Sequence, residues 1–234
     1  MSGKISGDVD DSAIREPTKS DNLTERLIEA IISGEFPSGS KISEPELSRR
    51  YEVSRGPLRE AIMRIETLGL IERIPHVGAR VITLSEVQLK EIYSVREALE
   101  GMAVRQACQH ITSEELHSLK QLLTSHQQYI KDVKGASYFL QSGDFDFHYR
   151  VIKASRNQKL ISLLCDELYH LVRMYRIQFS RLRSAPKSAL KEHFQIFDAL
   201  CERDEDLSEM LMRRHIRRSQ HLAQEFLINQ GENK

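Results

Sequence analysis

The chain has 234 residues, 40% of them hydrophobic and 6% aromatic, with 34 basic against 34 acidic side chains and no tryptophan. That is enough apolar material for one large domain or two small ones, and the neutral balance excludes a molecule coated in positive charge for indiscriminate nucleic-acid binding. Cys108, Cys165 and Cys201 lie far apart with no CxxC spacing, which excludes a disulfide framework and a cysteine metal site; all three read as buried free thiols in a reducing compartment.

Residues 1–21 are rich in Ser, Asp, Gly and Lys, with almost nothing apolar, and read as a disordered tail. They hold no apolar signal core, and no run approaches the length of a membrane span, so a cytoplasmic protein without membrane contact is expected. The first clear start signal is Ser43-Glu44-Pro45-Glu46. It has a serine N-cap, a glutamate three residues on and a proline in the first turn. The helix it opens carries Leu47 and ends near Tyr51. Glu52-Val53-Ser54 is then a three-residue turn, with Ser54 placed to cap a second helix that tolerates Pro57 in its first turn. Leu58, Ile62, Ile65 and Leu68 form the apolar stripe of that helix, and Gly69 stops it. Two β-prone runs follow, 70–74 and 79–82, around Pro75-His76-Val77-Gly78, which makes a hairpin. Helix-turn-helix followed by hairpin is a winged helix.

Arg55 and Arg59 open the second helix four residues apart, so they share a face. Arginine matches both guanine O6/N7 and phosphate, and a recognition helix touches DNA at its start. The competing reading of this spacing is a solvated basic face. From Arg49 to Arg64 five arginines stand against two glutamates, a local basic patch in a neutral chain.

This stretch, about residues 23–82, resembles the GntR family of transcriptional regulators. The matching residues are Gly34-Glu35-Phe36-Pro37-Ser38-Gly39-Ser40-Lys41-Ile42, Glu46-Leu47-Ser48, Val53-Ser54-Arg55, Pro57-Leu58-Arg59-Glu60-Ala61, Arg64-Ile65-Glu66 and Gly69-Leu70-Ile71. Two positions depart from the family pattern. Glu52 stands where a turn glycine is usual, which puts a side chain at positive φ, and Gly56 replaces a threonine whose hydroxyl could reach phosphate. The resemblance implies DNA contacts by Arg55 and Arg59, a wing glycine at Gly78, and a minor-groove contact by His76. Arg49 and Ser54 complete the expected contact set.

Beyond the hairpin the periodicity is helical throughout. Ser85 with Gln88 opens a helix to about Cys108, and Thr112 with Glu115 opens one to about Lys134. Further runs cover roughly 136–154, 158–182, 187–202 and 205–229. The expected fold is mainly α: an N-terminal winged helix-turn-helix over 22–83 and an all-helical bundle over 85–230.

Three of these helices each set a histidine on an apolar face. Asp144 and His148 are i, i+4, on a face continued by Val151 and Ile152. His193 lies in line with Leu190, Phe197 and Leu200, and His215 with Leu207, Leu211, Leu222 and Phe226. One such histidine is usually a satisfied core residue. Three together with a carboxylate suit a borderline divalent metal: zinc, with nickel or manganese as alternatives. His110, His117, His126, His170 and His221 read as surface residues. Arg96 sits on a buried stripe between Ile92 and Leu99. It is either paired with Glu100 one turn on or free to clamp a ligand carboxylate. Arg173 and Arg176, on a later helix, are further candidates for an effector.

Asp144-Phe145-Asp146-Phe147-His148 and Ala154-Ser155-Arg156-Asn157, with Glu192-His193 and His215, resemble the FCD effector domain of the FadR-like branch of GntR regulators. The resemblance, over about 85–229, implies four metal ligands, Asp144, His148, His193 and His215, and a metal that helps to hold a small carboxylate effector. Asn157 reads as a helix cap first. The expected function is a homodimeric repressor on inverted-repeat operator DNA, controlled by a di- or tricarboxylate bound with a metal. The alternatives are a purely structural metal in a DNA-binding protein without an effector, and a metal-dependent enzyme. No HExxH, phosphate loop or G-x-S-x-G elbow supports an enzyme.

Overall fold

The computed structural model describes residues 19–132, 146–178 and 185–231. The tail expected over residues 1–21 therefore lies outside it except at its end, where a helix, α1 (Lys19–Ile32), is already formed. Sequence patterning gave this helix no start signal. Its Leu23, Leu27, Ile28, Ile31 and Ile32 are buried against Leu58, Ala61, Ile62 and Ile65 of α3 (Arg55–Thr67). Between them, α2 (Glu44–Tyr51) adds Leu47 to the same core.

The turn from α2 to α3 depends on Glu52, which takes φ 53 and returns its backbone N–H to Ser48 O. A left-handed residue is what ends a helix this sharply. Neither Ser43 nor Ser54 makes a side-chain cap bond. The box expected at Ser43 is thus present as spacing but not as a hydrogen bond. Gly69, at φ +71, ends α3 and lets Leu70 N reach Ile65 O at 3.2 Å. The wing is the antiparallel pair β1 (Ile71–Ile74) and β2 (Gly78–Val81), in the register Ile71↔Val81 to Ile74↔Gly78. Its turn uses positive φ at His76 (62) and Gly78 (99).

The remaining described elements are α4 (Glu86–His110), α5 (Ser113–Asp132), α6 (Phe147–Ala154), α7 (Gln158–Ile161), a π-helical turn over Ser162–Glu167, α8 (Tyr169–Gln178), α9 (Ala185–Cys201) and α10 (Glu205–Gly231). Ser85 caps α4 by accepting from Gln88 N at 3.1 Å. Thr112 and Glu115 exchange both bonds of a capping box, at 2.9 and 3.2 Å. α4 and α10 pack along each other most extensively and form the spine of the bundle. The helix expected over 158–182 is instead α7, the π turn and α8 in succession, with 179–182 outside the described residues. Of the helix expected over 136–154, Phe147 onward is described. Cys108 and Cys165 are buried, but Cys201 is exposed, because α9 turns that position away from the core. His126, expected at the surface, is buried on α5.

Candidate DNA-binding surface and metal centre

Arg55 is the first residue of α3 and Arg59 lies one turn on; both are exposed, as are Arg49 at the end of α2 and Ser54 before α3. Among the described residues, Arg49 and Arg55 enter no ion pair. Arg59 Nε holds Glu44 Oε2 at 2.9 Å, an exposed pair that a phosphate can displace. The other two arginines of the patch are engaged inside the module. Arg50 pairs with Glu35 and lies over the Phe36 ring at 5.3 Å. Arg64 pairs with Asp21 and Glu60. Among the described residues the unpaired charge of the patch is thus concentrated on Arg49 and Arg55, with the paired Arg59 beside them. His76 is exposed in the wing turn, with Val77 beside it and Gly78 closing it.

In the bundle, α6, α9 and α10 each bring a histidine to one point. The Nε2 atoms of His148, His193 and His215 form a triangle with sides of 3.2, 3.3 and 3.2 Å. All three side chains are buried, and Phe147 stacks on His193 at 4.3 Å. His148 Nδ1 donates to Glu100 Oε2 at 2.6 Å, and His215 Nδ1 donates to Glu192 Oε2 at 2.7 Å. Burial opposes ionisation of Glu100, yet the Arg96 guanidinium and His148 hold it well below the usual carboxylate range. Glu192 is lowered in the same way, against burial, by His215 and Arg218. An ionised carboxylate on Nδ1 fixes the proton there, so both Nε2 atoms present bare lone pairs.

Those two lone pairs face each other at 3.2 Å. A single N–H on His193 Nε2 can serve only one of them, whereas a cation serves all three nitrogens. The centre of such a triangle lies about 1.9 Å from each corner, just inside metal–imidazole bonds of roughly 2.0–2.1 Å. The donor set therefore fits a first-row divalent ion, which His148, His193 and His215 would hold through their Nε2 atoms. Glu100 and Glu192 stand on the Nδ1 atoms, where carboxylates orient imidazoles that ligate a metal.

Asp144 lies outside the described residues. The carboxylate seen beside His148 is Asp146, the N-cap of α6, whose Oδ1 accepts from His148 N at 2.9 Å and whose Oδ2 binds Arg176. Arg96 is buried, with Nε on Glu100 Oε1 at 2.7 Å and its guanidinium over the Tyr93 ring at 4.7 Å. Of the two readings weighed for it, the pair with Glu100 is formed. Arg173 is placed elsewhere than expected: Glu29 of α1 binds it, so it faces the winged helix instead of the histidines. Its position on α8 decides this, since that helix touches both modules. Asn157 caps α7, accepting from Lys159 N and Leu160 N. Sequence reasoning gave Glu100 only the Arg96 partnership and gave Glu192 no role. The one available signal was a glutamate on the buried stripe of α4.

Burial holds His193 well below the ordinary histidine range and pushes His215 down to about 4. An unfolded chain takes protons on these imidazoles near pH 6.5, while the metal-free folded centre refuses them until lower pH. The unfolded state thus binds more protons within that window, so stability is fully present above about pH 6.5 and falls as the pH drops towards 4. Glu100, Asp146 and Glu192, all lowered against burial by their cationic partners, add losses in the same direction at lower pH. Urea midpoints of chelator-stripped protein should fall steadily between pH 7.5 and 4.5; a flat or rising series contradicts this.

The family model described as "Bacterial regulatory proteins, gntR family" matches residues 19–81, and that described as "FCD domain" matches residues 91–218. The Nta operon transcriptional regulator of Aminobacter aminovorans is 30% identical over 202 residues, 86% of this chain and 91% of its own. The HTH-type transcriptional repressor RspR of Escherichia coli (strain K12) is 32% identical over 179 residues, 76% of this chain and 77% of its own. Among solved structures, E. coli McbR/YncC superposes with a TM-score of 0.73 at 18% identity, over 88% of this chain and 97% of that one, which shows a shared fold.

Proposed function

Because the chain belongs to the gntR family of bacterial regulatory proteins and carries an FCD domain, it is a DNA-binding transcriptional regulator and not an enzyme, and we propose that it is a repressor whose hold on operator DNA is set by a divalent metal and a small carboxylate in its helical module. The observation that carries this is the Nε2 triangle, with two of its corners pinned by Glu100 and Glu192. We take 22–83 as the DNA-binding module and 85–230 as the effector module. His148, His193 and His215 would hold the ion, zinc by donor set, with Asp144 as the fourth ligand by resemblance. When bound, the metal supplies open coordination positions for carboxylate oxygens.

The residues already seen have the remaining work. Glu100 and Glu192 orient the imidazoles, and Arg96 keeps Glu100 ionised. A di- or tricarboxylate effector would take the open positions of the ion, since Arg96 and Arg176 are already held by Glu100 and Asp146. Arg55, Arg59, Arg49, Ser54 and the wing at His76–Gly78 would contact DNA. Two such heads in a homodimer match an inverted repeat, since one head reads too few base pairs for a genome. No described helix is long and apolar enough to cross a membrane, and a regulator of this kind works in the cytoplasm.

The test is a thermal-shift screen of zinc-loaded protein against central-metabolism acids. A ligand of the native state alone, at 100 times its Kd, stabilises by about 2.7 kcal/mol, roughly 5–10 °C for a chain of this size. The burial of all three histidines favours a second reading, a metal that only braces the bundle. That reading predicts a shift with zinc and none with any acid.

A further inference from the structure

Helix α8 serves two cores with consecutive residues. Met174 is fully buried in the winged-helix core, with Leu171 and Ile177 packed against the same cluster. Arg173, its side chain 4% exposed, is bound by both carboxylate oxygens of Glu29 on α1, the Nη2–Oε2 contact being 2.8 Å. The next residues turn the other way. Tyr175 is buried in the bundle core, and its hydroxyl donates to Ser85 O at 3.3 Å, at the joint between wing and α4. Arg176 binds Asp146, the residue that caps α6 and accepts from the backbone N–H of His148. Leu84 and Leu171 touch both cores.

We propose that α8 carries occupancy of the histidine centre to the DNA-binding module, with the Arg173–Glu29 pair as the contact that α1 receives. This rests on reading the centre as a metal site. The path is built of bonds that resist sliding. His148 is tied to Asp146, Asp146 to Arg176, and Arg176 sits on the same helix as Arg173, three residues away. The bidentate pair between buried Arg173 and Glu29 ties α1 to α8, so the two helices move together. The π turn over Ser162–Glu167 lies immediately before α8 and is the place for the helix to yield. Such turns hold an extra residue within a helix, so α8 can shift against α7 without melting. At the far end, α1 packs directly on α3, which opens with Arg55 and carries Arg59 one turn on. A change at His148 thus reaches the arginines of α3 through one short rod.

Hydrogen exchange on the full chain, stripped by chelator and then given zinc chloride, tests this. In wild type, zinc should slow exchange in α6 and α10, and in α1 by about 5-fold or more, the lower end of ordinary coupling between sites. In Arg173→Met the slowing at α6 and α10 should persist and that at α1 should vanish. Glu29→Ala, which deletes a side chain 55% exposed, gives the same readout if Arg173→Met does not fold. Protection of α1 that survives both substitutions overturns the proposal. So does a wild-type α1 that ignores zinc while α6 and α10 respond, an outcome that leaves the metal reading standing. No response at α6 and α10 overturns the metal reading and the coupling with it.

Discussion

Arg55→Ala should weaken binding to an operator duplex, recovered by the protein from a randomised pool, by about 1–3 kcal/mol. Arg55 opens α3, is exposed and enters no ion pair among the described residues, so its loss leaves the winged-helix core intact. Arg59→Ala should cost less, because wild-type Arg59 must first leave Glu44, which holds it at 2.9 Å. A bidentate contact to a base further predicts that Arg55→Ala relaxes the preference at one position in each half-site. A phosphate contact predicts a uniform loss and a shallower salt dependence. Fluorescence anisotropy titrations at several salt concentrations separate these outcomes. Binding of both variants at wild-type affinity removes α3 from the DNA surface.

The second large effect is expected at His193. Its Nε2 lies within 3.2–3.3 Å of both other nitrogens, and its ring stacks on Phe147. His193→Ala deletes one corner of the donor triangle and leaves a cavity beside Phe147. Zinc affinity should fall by more than the roughly 10–100-fold that losing an outer-shell partner costs. The two remaining imidazoles keep their glutamates, so the helices that bear them should stay in place. His193→Gln, which fills more of the space without an imidazole, should lose zinc to the same degree while unfolding later than His193→Ala. Competition with a chromogenic chelator gives the affinities. Zinc binding unchanged in both variants moves the site away from these histidines.

The parts of this molecule legible in its sequence are those fixed by local rules. Ser85–Gln88 and Thr112–Glu115 announce their helices because a cap is made within four residues. The wing shows as two β-prone runs around a Pro/Gly turn. The histidines show because a polar group on an apolar stripe is conspicuous on any single helix. What was hidden depends on how helices meet. Glu192 looks ordinary until α10 places His215 against it. Arg173 and Arg176 look alike on paper, yet one binds Glu29 and the other Asp146, a difference decided only by the packing of α8 against both modules. The π turn has no signature, because one added residue within a helical run leaves the apolar pattern readable as plain helix. α1 lacks a start signal, and its apolar face takes its meaning from α3, the helix that covers it. Asp144 falls outside the described residues, and its part as fourth ligand stands on resemblance.

The regulation proposed for the helical module depends on the Nε2 triangle holding a metal. The direct measurement is calorimetric titration of zinc into chelator-stripped wild-type protein at pH 7.5, beside a variant with His148, His193 and His215 all changed to alanine. The expected result is one ion per chain bound by wild type and no heat of binding in the variant. Wild type that takes up no zinc, or a variant that takes up as much, contradicts it.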